Sequence, residues 1–526
     1  MMSALETTMP KPSDSPMRGA DVRESGLGGC ARRLRPWPRA RCHDALVPTT
    51  RAVPLALIGW LVCVELTSGV LQGWYVTLTP DIARHLSVTD ADVNWFEAGQ
   101  LLLSALMVPV LAKLGDMHGH KRMLLVATAL TAGASWWMAF AGDFWSYLIA
   151  FSLQGAYAVW LPLEVALIFD RGRRTGAAPS TTRRAAGLLV IALEAGAILG
   201  ALGSAIALGA FGAAMAPTLM VPAAMVTLTF FAILWGVPES EPLPGRSLDA
   251  GGFVLLALSL LTITSGLTFL KIGGADAWWG WAAMLIGVAL LFPFGRWVLG
   301  KDDPAIDLRV MRRPEMWPVQ LTAGLVGVSL LGAQTPLATY AGTDPSLGYG
   351  LGLDASGRSI LIGVYLLSLI VGAGALAVLS TRIRPRLLLI VAATLVGIGY
   401  LLLVPFHLEI WQVFACMAVA GVGSGALVGA LPAAAAAAAP RGQTGVATAM
   451  TNTTKTIGGS FASSIFAIVL AVGAIGTAAS IGGYIVVWIV CGVTALVAAV
   501  GLVAVPRLAF ADPEPVPDAA ATTPTR

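Results

Sequence analysis

The chain has 526 residues, 56% of them hydrophobic and 12% charged, and its mean hydropathy is +0.78. An ordinary soluble domain is about one-quarter charged, so a chain this apolar could not cover a water-facing surface with polar groups. A water-soluble fold is excluded, and a bilayer supplies the missing apolar solvent. The formal net charge of +4 excludes little by itself.

Residues 1–52 are rich in Pro, Arg and Ser and carry nine Lys/Arg against five Asp/Glu. They read as a disordered basic cytoplasmic tail. No apolar run precedes the first long span, so no cleavable signal peptide is expected. A membrane span needs about 20 mostly apolar residues. Runs of that kind lie near 54–76, 94–112, 122–141, 145–168, 186–209, 217–236, 251–271 and 278–298. Six more lie near 317–337, 359–379, 386–404, 410–432, 445–472 and 482–505, making about fourteen. The alanines from Ala433 to Ala439, set between Pro432 and Pro440, read as a short interfacial helix.

This divides the chain into a six-helix bundle over 53–237, a linker over 238–316 with two extra transmembrane helices, and a second six-helix bundle over 317–506. A disordered tail over 507–526 follows. The fold class is therefore all-α integral membrane. With the N-terminus inside, the cytoplasmic segments hold Lys113, Lys121, Arg122, Arg171, Arg173, Arg174, Arg183, Arg184 and Arg246. They also hold Arg296, Lys301, Arg309, Arg312, Arg313, Arg382, Arg384, Arg386, Arg441 and Arg507, whereas the external ones hold only Arg84, Lys271 and Arg358. The positive-inside bias thus supports the span count and predicts a multi-pass cell-membrane protein with both termini cytoplasmic. Trp74, Trp95, Trp145, Trp235, Trp278, Trp279, Trp281, Trp297, Trp317 and Trp411 fall where interfacial belts are expected.

Ionisable groups inside spans cost roughly 2.5–3.5 kcal/mol on insertion scales, so they face a cavity or a partner. Five stand deep in these runs: Glu65, Glu97, Glu164, Glu194 and Lys455. Low dielectric disfavours a charged carboxyl, which suits such a Glu to binding and releasing a proton or to attracting a lipophilic cation. Glu65 and Glu194 lie nearest mid-membrane. Each reads as a proton or substrate group, or as a protonated helix–helix hydrogen bond. Glu97 and Glu164 lie nearer opposite faces, where snorkelling to water is expected. Lys455 either pairs with a buried acid or snorkels. The five cysteines and five histidines show no metal-ligand spacing, so no metal is expected.

The loop from Ala112 to Arg122 contains Leu114, Asp116, Gly119 and Lys121. Gly119 permits a tight turn, and Asp116 can sit near a helix N-terminus, where negative charge is favoured. This loop resembles the signature G-x-L-a-D-r-x-G-r-r of the major facilitator superfamily, from which Ala112, Met117 and His120 depart. The resemblance implies that Asp116 locks one conformation by contacting the neighbouring helix bundle. Gly196, Gly200 and Gly203 space small residues for close helix approach. They resemble the family's antiporter motif g-x-x-x-G-P-x-x-G-G, whose Pro is Ala201 here. Gln154 and Gly155 look like the family's R-x-x-Q-G signature, with Phe151 at the Arg position.

The two extra runs between the halves are introduced by Ser247–Gly251 and closed by Asp303–Arg309. They make the chain similar to the fourteen-span drug/proton antiporter branch (EmrB/QacA type) from about Arg51 to Pro506. That resemblance implies two bundles of inverted triplets around a midplane cavity and proton-coupled efflux of small hydrophobic or cationic compounds. A nutrient or metabolite symporter or uniporter of the same fold is the alternative. A membrane-embedded sensor or enzyme is a remote one, since neither a soluble domain nor a His/Asp pair in a loop is visible. Gly421-x-Gly423-x-Gly425 lies inside a span with no preceding strand and reads as helix packing. No P-loop is present, so ATP is not the expected energy source and a proton gradient is. No cofactor and no nucleic-acid partner are expected. A monomer suffices for the cavity, and the sequence specifies no accessory periplasmic partner.

Overall fold

The computed structural model describes residues 55–175, 179–240, 247–304, 306–380, 382–438 and 444–503. The two expected tails, Arg246, Arg441, Arg507 and Pro440 lie outside the described residues, as do the side chains of Arg173, Arg174, Arg183 and Arg184. The first part of the chain forms α1 (Leu55–His85), α2 (Asn94–His118), α3 (His120–Phe140), α4 (Phe144–Gln154), α5 (Trp160–Thr175), α6 (Pro179–Ala210) and α7 (Met215–Gly236). A hairpin follows, α8 (Ala250–Gly273) and α9 (Trp278–Leu299), then a short turn of helix α10 (Leu308–Met311). The last part forms α11 (Trp317–Leu330), α12 (Gln334–Gly342), α13 (Ala355–Leu379), α14 (Pro385–Leu403), α15 (Ile410–Ala438), α16 (Thr444–Ala471) and α17 (Ile481–Val503). With α4–α5 and α11–α12 each counted once as broken spans, fourteen helices among the described residues are long and apolar enough to cross a membrane.

Helix ends follow from local chemistry. Asp143 caps α4 by accepting from Trp145 N and Ser146 N, both at 3.0 Å. Asp249 caps α8 through Gly252 N, and Asp354 caps α13 through Gly357 N. Inside the apolar layer, hydroxyls donate to carbonyls one turn back, as in Thr128 to Leu124, Thr131 to Ala127 and Ser135 to Thr131. Helix α1 runs nine residues past the predicted end at 76, through Pro80. The hydroxyls of Thr77 and Thr79 bond back to Gly73 O and Tyr75 O and the helix continues. The interfacial helix expected at Ala433–Ala439 is not separate: α15 continues through Pro432 to Ala438, carried by alanine's high helix propensity. Trp74 and Trp95 are only 4% and 7% exposed, so they pack inward rather than joining a belt. Trp145, Trp235, Trp278 and Trp411 do face outward.

Two cores form. One gathers α1–α7 around Leu61, Tyr147 and Trp160, the other α11–α17 around Tyr340, Phe466 and Trp488. Within each, the first and fifth spans cross at backbone contact. An added Cβ on Gly69 or Gly73 would stand 1.9 Å from Leu193 O or Ala197 O, and on Gly196 or Gly200 it would stand 2.1 or 2.3 Å from Leu66 O or Val70 O. In the second bundle α11 and α16 repeat the arrangement, with Gly327 against Lys455 O and Gly458 against Gly324 O. Gly203 lies against the Trp74 ring. This is the close approach that small residues allow between apolar helices.

The α8–α9 hairpin packs on itself through Gly266, Gly287 and a bond from Ser259 Oγ to Gly287 O. It covers the seam between α2 and α16, where Leu256, Leu260 and Phe294 meet Leu102, Ile457 and Phe461. At one end Lys271 pairs with Asp92, and at the other Lys113 donates to Asp303 O at 2.8 Å and pairs with its carboxylate at 3.1 Å.

The glycine crossing sets a stability test. Gly69→Leu should lower the melting temperature of the detergent-purified protein sharply or abolish its monodisperse peak, because overpacking costs about 1–3 kcal/mol or more and here meets backbone. Gly133→Ala, with open space around it, should leave both unchanged. Equal thermal profiles for the two variants would contradict the packing.

Candidate functional site

The space between the bundles is closed at one end by charge and backbone bonds. Asp81, in the last turns of α1, receives both Arg84 and Arg358. Arg358 comes from the first turn of α13 in the opposite bundle, is 2% exposed, and also donates from Nε to Thr77 O at 3.1 Å and from Nη1 to Leu353 O at 2.9 Å. Beside it Asp90 N donates to Thr477 O at 2.9 Å. Ser460 Oγ donates to Ala98 O at 2.8 Å slightly deeper. Behind this seal lies a cavity of about 20 Å³, lined by Tyr75, Thr79, Glu97, Phe151 and Thr335 among others. That is room for about one water.

The predicted intramembrane ionisable residues fall into two groups and one single. Glu65 on α1 and Glu164 on α5 are both 0% exposed and face each other within hydrogen-bonding reach. No other donor reaches either carboxyl. Two carboxylates cannot donate, so this contact is a hydrogen bond only when the pair holds a proton. The expectation that Glu164 snorkels is therefore corrected. A 3₁₀ stretch, Gly155–Val159, separates α4 from α5, and α5 turns Glu164 into the bundle. Glu97 also turns inward, half-buried on the small cavity instead of reaching out to solvent. Glu194 on α6 and Lys455 on α16 are half-buried and feel each other's charge from opposite bundles, with no direct ion pair between them.

The motif residues have structural partners. Gln154 accepts from Gln100 Nε2 at 3.1 Å and donates to Ser135 Oγ at 3.0 Å. Gly155 lets the fourth span touch α2, where Ser104 Oγ donates to Gly155 O at 2.8 Å. Phe151 stacks on Tyr147 and meets Tyr75 edge-on, so an aromatic cluster fills the place of the motif's Arg. Gly119 has φ +105°, a conformation that favours glycine. Leu114 packs on the first core. Asp116 lies 3.3 Å from His120 Nε2, and the acid at the N-terminus of α3 is Glu239, which accepts from Lys121 N at 3.0 Å. Lys121 Nζ donates to Leu234 O. The turn is thus stapled to the segment after α7.

Sequence reasoning missed Asp81, Asp90, Arg358 and Glu239. Arg358 was visible as one of three basic residues on the predicted external side, but nothing in the sequence named its partner.

Two six-helix bundles, a broken fourth span and buried carboxyls bordering the space between them define a secondary-transporter architecture. The Major Facilitator Superfamily model matches residues 61–463 and, in a second match, 345–526, and the chain belongs to this family. Its fourteen spans fit the fourteen-span drug/proton antiporter branch. The Tetracenomycin C resistance and export protein of Streptomyces glaucescens is 25% identical over 325 residues, 60% of this chain and 53% of that protein. Methyl viologen resistance protein SmvA of Salmonella typhimurium is 26% identical over 400 residues, 74% of this chain and 77% of that protein. The chain spans about half the length of the curated relatives it matches first. The POT family transporter PepTSo superposes with a TM-score of 0.62 at 12% identity, covering 85% of this chain and 97% of that one, a likeness of fold alone.

The closed end carries two predictions. Arg358→Gln should raise the labelling rate of a cysteine placed at Thr335, in a cysteine-free background, at least threefold with an impermeant maleimide. The exchange Asp81→Arg with Arg358→Asp should restore protection, and unchanged labelling in Arg358→Gln would mean that the pair does not hold the end shut.

Burial pushes the Asp90 carboxyl from 3.8 up to about 6, against the Ala479 backbone bond and the charges of Arg84 and Arg358, while Tyr349 and Tyr484 also face it. An acid with a higher value when buried takes up a proton on closure. Closure is therefore favoured as pH falls from about 6 to 4 and weakened as pH rises through 6, with a ceiling of about a hundredfold. Labelling at Thr335→Cys, normalised to free cysteine, should rise across that window and become flat in Asp90→Asn.

Proposed function

We propose that the protein exports small hydrophobic or cationic molecules in exchange for protons, by alternating access of the space between its bundles. The observation that carries this reading is the Glu65–Glu164 pair, sealed from solvent with no donor but a shared proton. A site that must bind a proton to satisfy its own hydrogen bond can couple proton occupancy to the packing of α1 and α5. The export and resistance functions in the names of the two relatives support the efflux direction. With the basic loops cytoplasmic, the closed end is the external one. Substrate then enters from the cytoplasm beside Glu194. Opening of the Asp81–Arg358 end lets protons reach the acids from outside, and their release to the cytoplasm resets the cycle.

A symporter or uniporter is favoured by one observation, the aromatic Phe151 in place of the motif's Arg. Proteoliposomes separate the two readings. Ethidium uptake into inside-out vesicles should follow a pH gradient acid inside and collapse when the gradient is dissipated. Glu65→Gln combined with Glu164→Gln should cut gradient-driven accumulation at least tenfold while leaving ethidium exchange at equal pH. Accumulation that survives the double variant rules out the pair as the coupling site, and accumulation with the opposite gradient rules out antiport.

A further inference from the structure

The four intramembrane acids all belong to the first bundle, and the lysine belongs to the second. Two of the acids are hidden from any space a solute could enter. Glu194 and Lys455 are not: each is half-buried, near the middle of its helix. Helix α6 packs on α1 and α13, and α16 packs on α11 and α2, so neither helix lies along the other. The interaction between the two charges therefore crosses the inter-bundle space. No ion pair or hydrogen bond among the described residues closes it.

Opposite charges on facing walls, held apart, discriminate among solutes. A simple cation would meet Glu194 but be repelled by Lys455, and a simple anion would meet the reverse. In a site with little water, a charge left unmatched costs several kcal/mol. A molecule that carries both signs at a matching separation satisfies both walls and removes the cost of each.

We propose that the inter-bundle site selects amphoteric molecules, with an ammonium group on Glu194 and a carboxylate or similar anionic group on Lys455. The assignment rests on the proposed transport function and narrows its substrate class. It also separates two tasks that the sequence leaves merged: Glu194 and Lys455 read the substrate, and Glu65 with Glu164 hold the proton.

The test compares three amphoteric compounds of different ring size, one of them a piperazinyl fluoroquinolone, with their methyl esters, which keep the amine and lose the carboxylate. Binding is measured at pH 7.4 on the full chain in detergent, without any gradient. At least one free acid should bind at least tenfold more tightly than its ester. Lys455→Met should bring acid and ester to within about twofold, and Glu194→Gln should weaken both about tenfold. The exchange Glu194→Lys with Lys455→Glu should restore the preference for the acid, which a merely misfolded protein could not do. Equal binding of acids and esters to the native chain, a preference that survives Lys455→Met, or failure of all three acids to bind would overturn the proposal. Vesicle uptake of the same compounds separates it from the transport reading. Acid-selective binding without gradient-driven uptake removes antiport alone, and gradient-driven uptake of acids and esters alike removes the charge-pair assignment alone.

Discussion

Hydrocarbon offers no hydrogen bonds, and most of this structure follows from that. Each backbone N–H and C=O in the apolar layer must find its partner within the protein, which leaves helices as the spanning element. Helices in lipid gain little from burying more apolar surface, so their association depends on close contact. The crossings of α1 with α6 and of α11 with α16 answer this with glycines set against carbonyl oxygens of the opposite helix. The same rule makes a buried carboxyl conspicuous, because it must find a donor, a proton or a space. No donor among the described residues reaches Glu65 or Glu164, and Glu194 stays half-buried.

How much of this could be read beforehand depended on whether a feature is local. The spans were legible because apolar length is a property of consecutive residues, and the Gly196–Gly200 face because its spacing lies on one helix. The loop glycine was legible too, and Gly119 has the positive φ that a turn there calls for. What could not be read were pairings between distant segments and the direction a side chain takes around its helix. Arg358 meets Asp81 across 277 positions of sequence. Glu164 looked like an interfacial residue on a simple count of rise per residue, but the 3₁₀ stretch before it turns the helix. Trp74 and Trp95 sat at the right depth for a belt and point the wrong way for one. Depth along a span is written in the sequence, whereas rotation about its axis is settled by packing.

The two bundles share their helix-crossing pattern but differ in charge. The first holds the buried acids, and the second contributes Lys455 and Arg358. Attraction between the halves is thus concentrated at two levels: a tight contact at Asp81 and Arg358, and a looser one between Glu194 and Lys455. The first is a bond between the halves. In the second, Glu194 and Lys455 act on each other with no ion pair between them.

The extra hairpin has a mechanical meaning. Its polar fastenings, Lys271 to Asp92 and Asp303 to Lys113, go to both ends of α2, while its contacts with α16 through Ile457 and Phe461 are purely greasy. The contacts with α16 can shift without breaking a polar bond, whereas those with α2 cannot. The hairpin thus holds one half by charge and the other by apolar contact alone, while α9 leaves Leu285, Val288 and Phe292 exposed on its outer side.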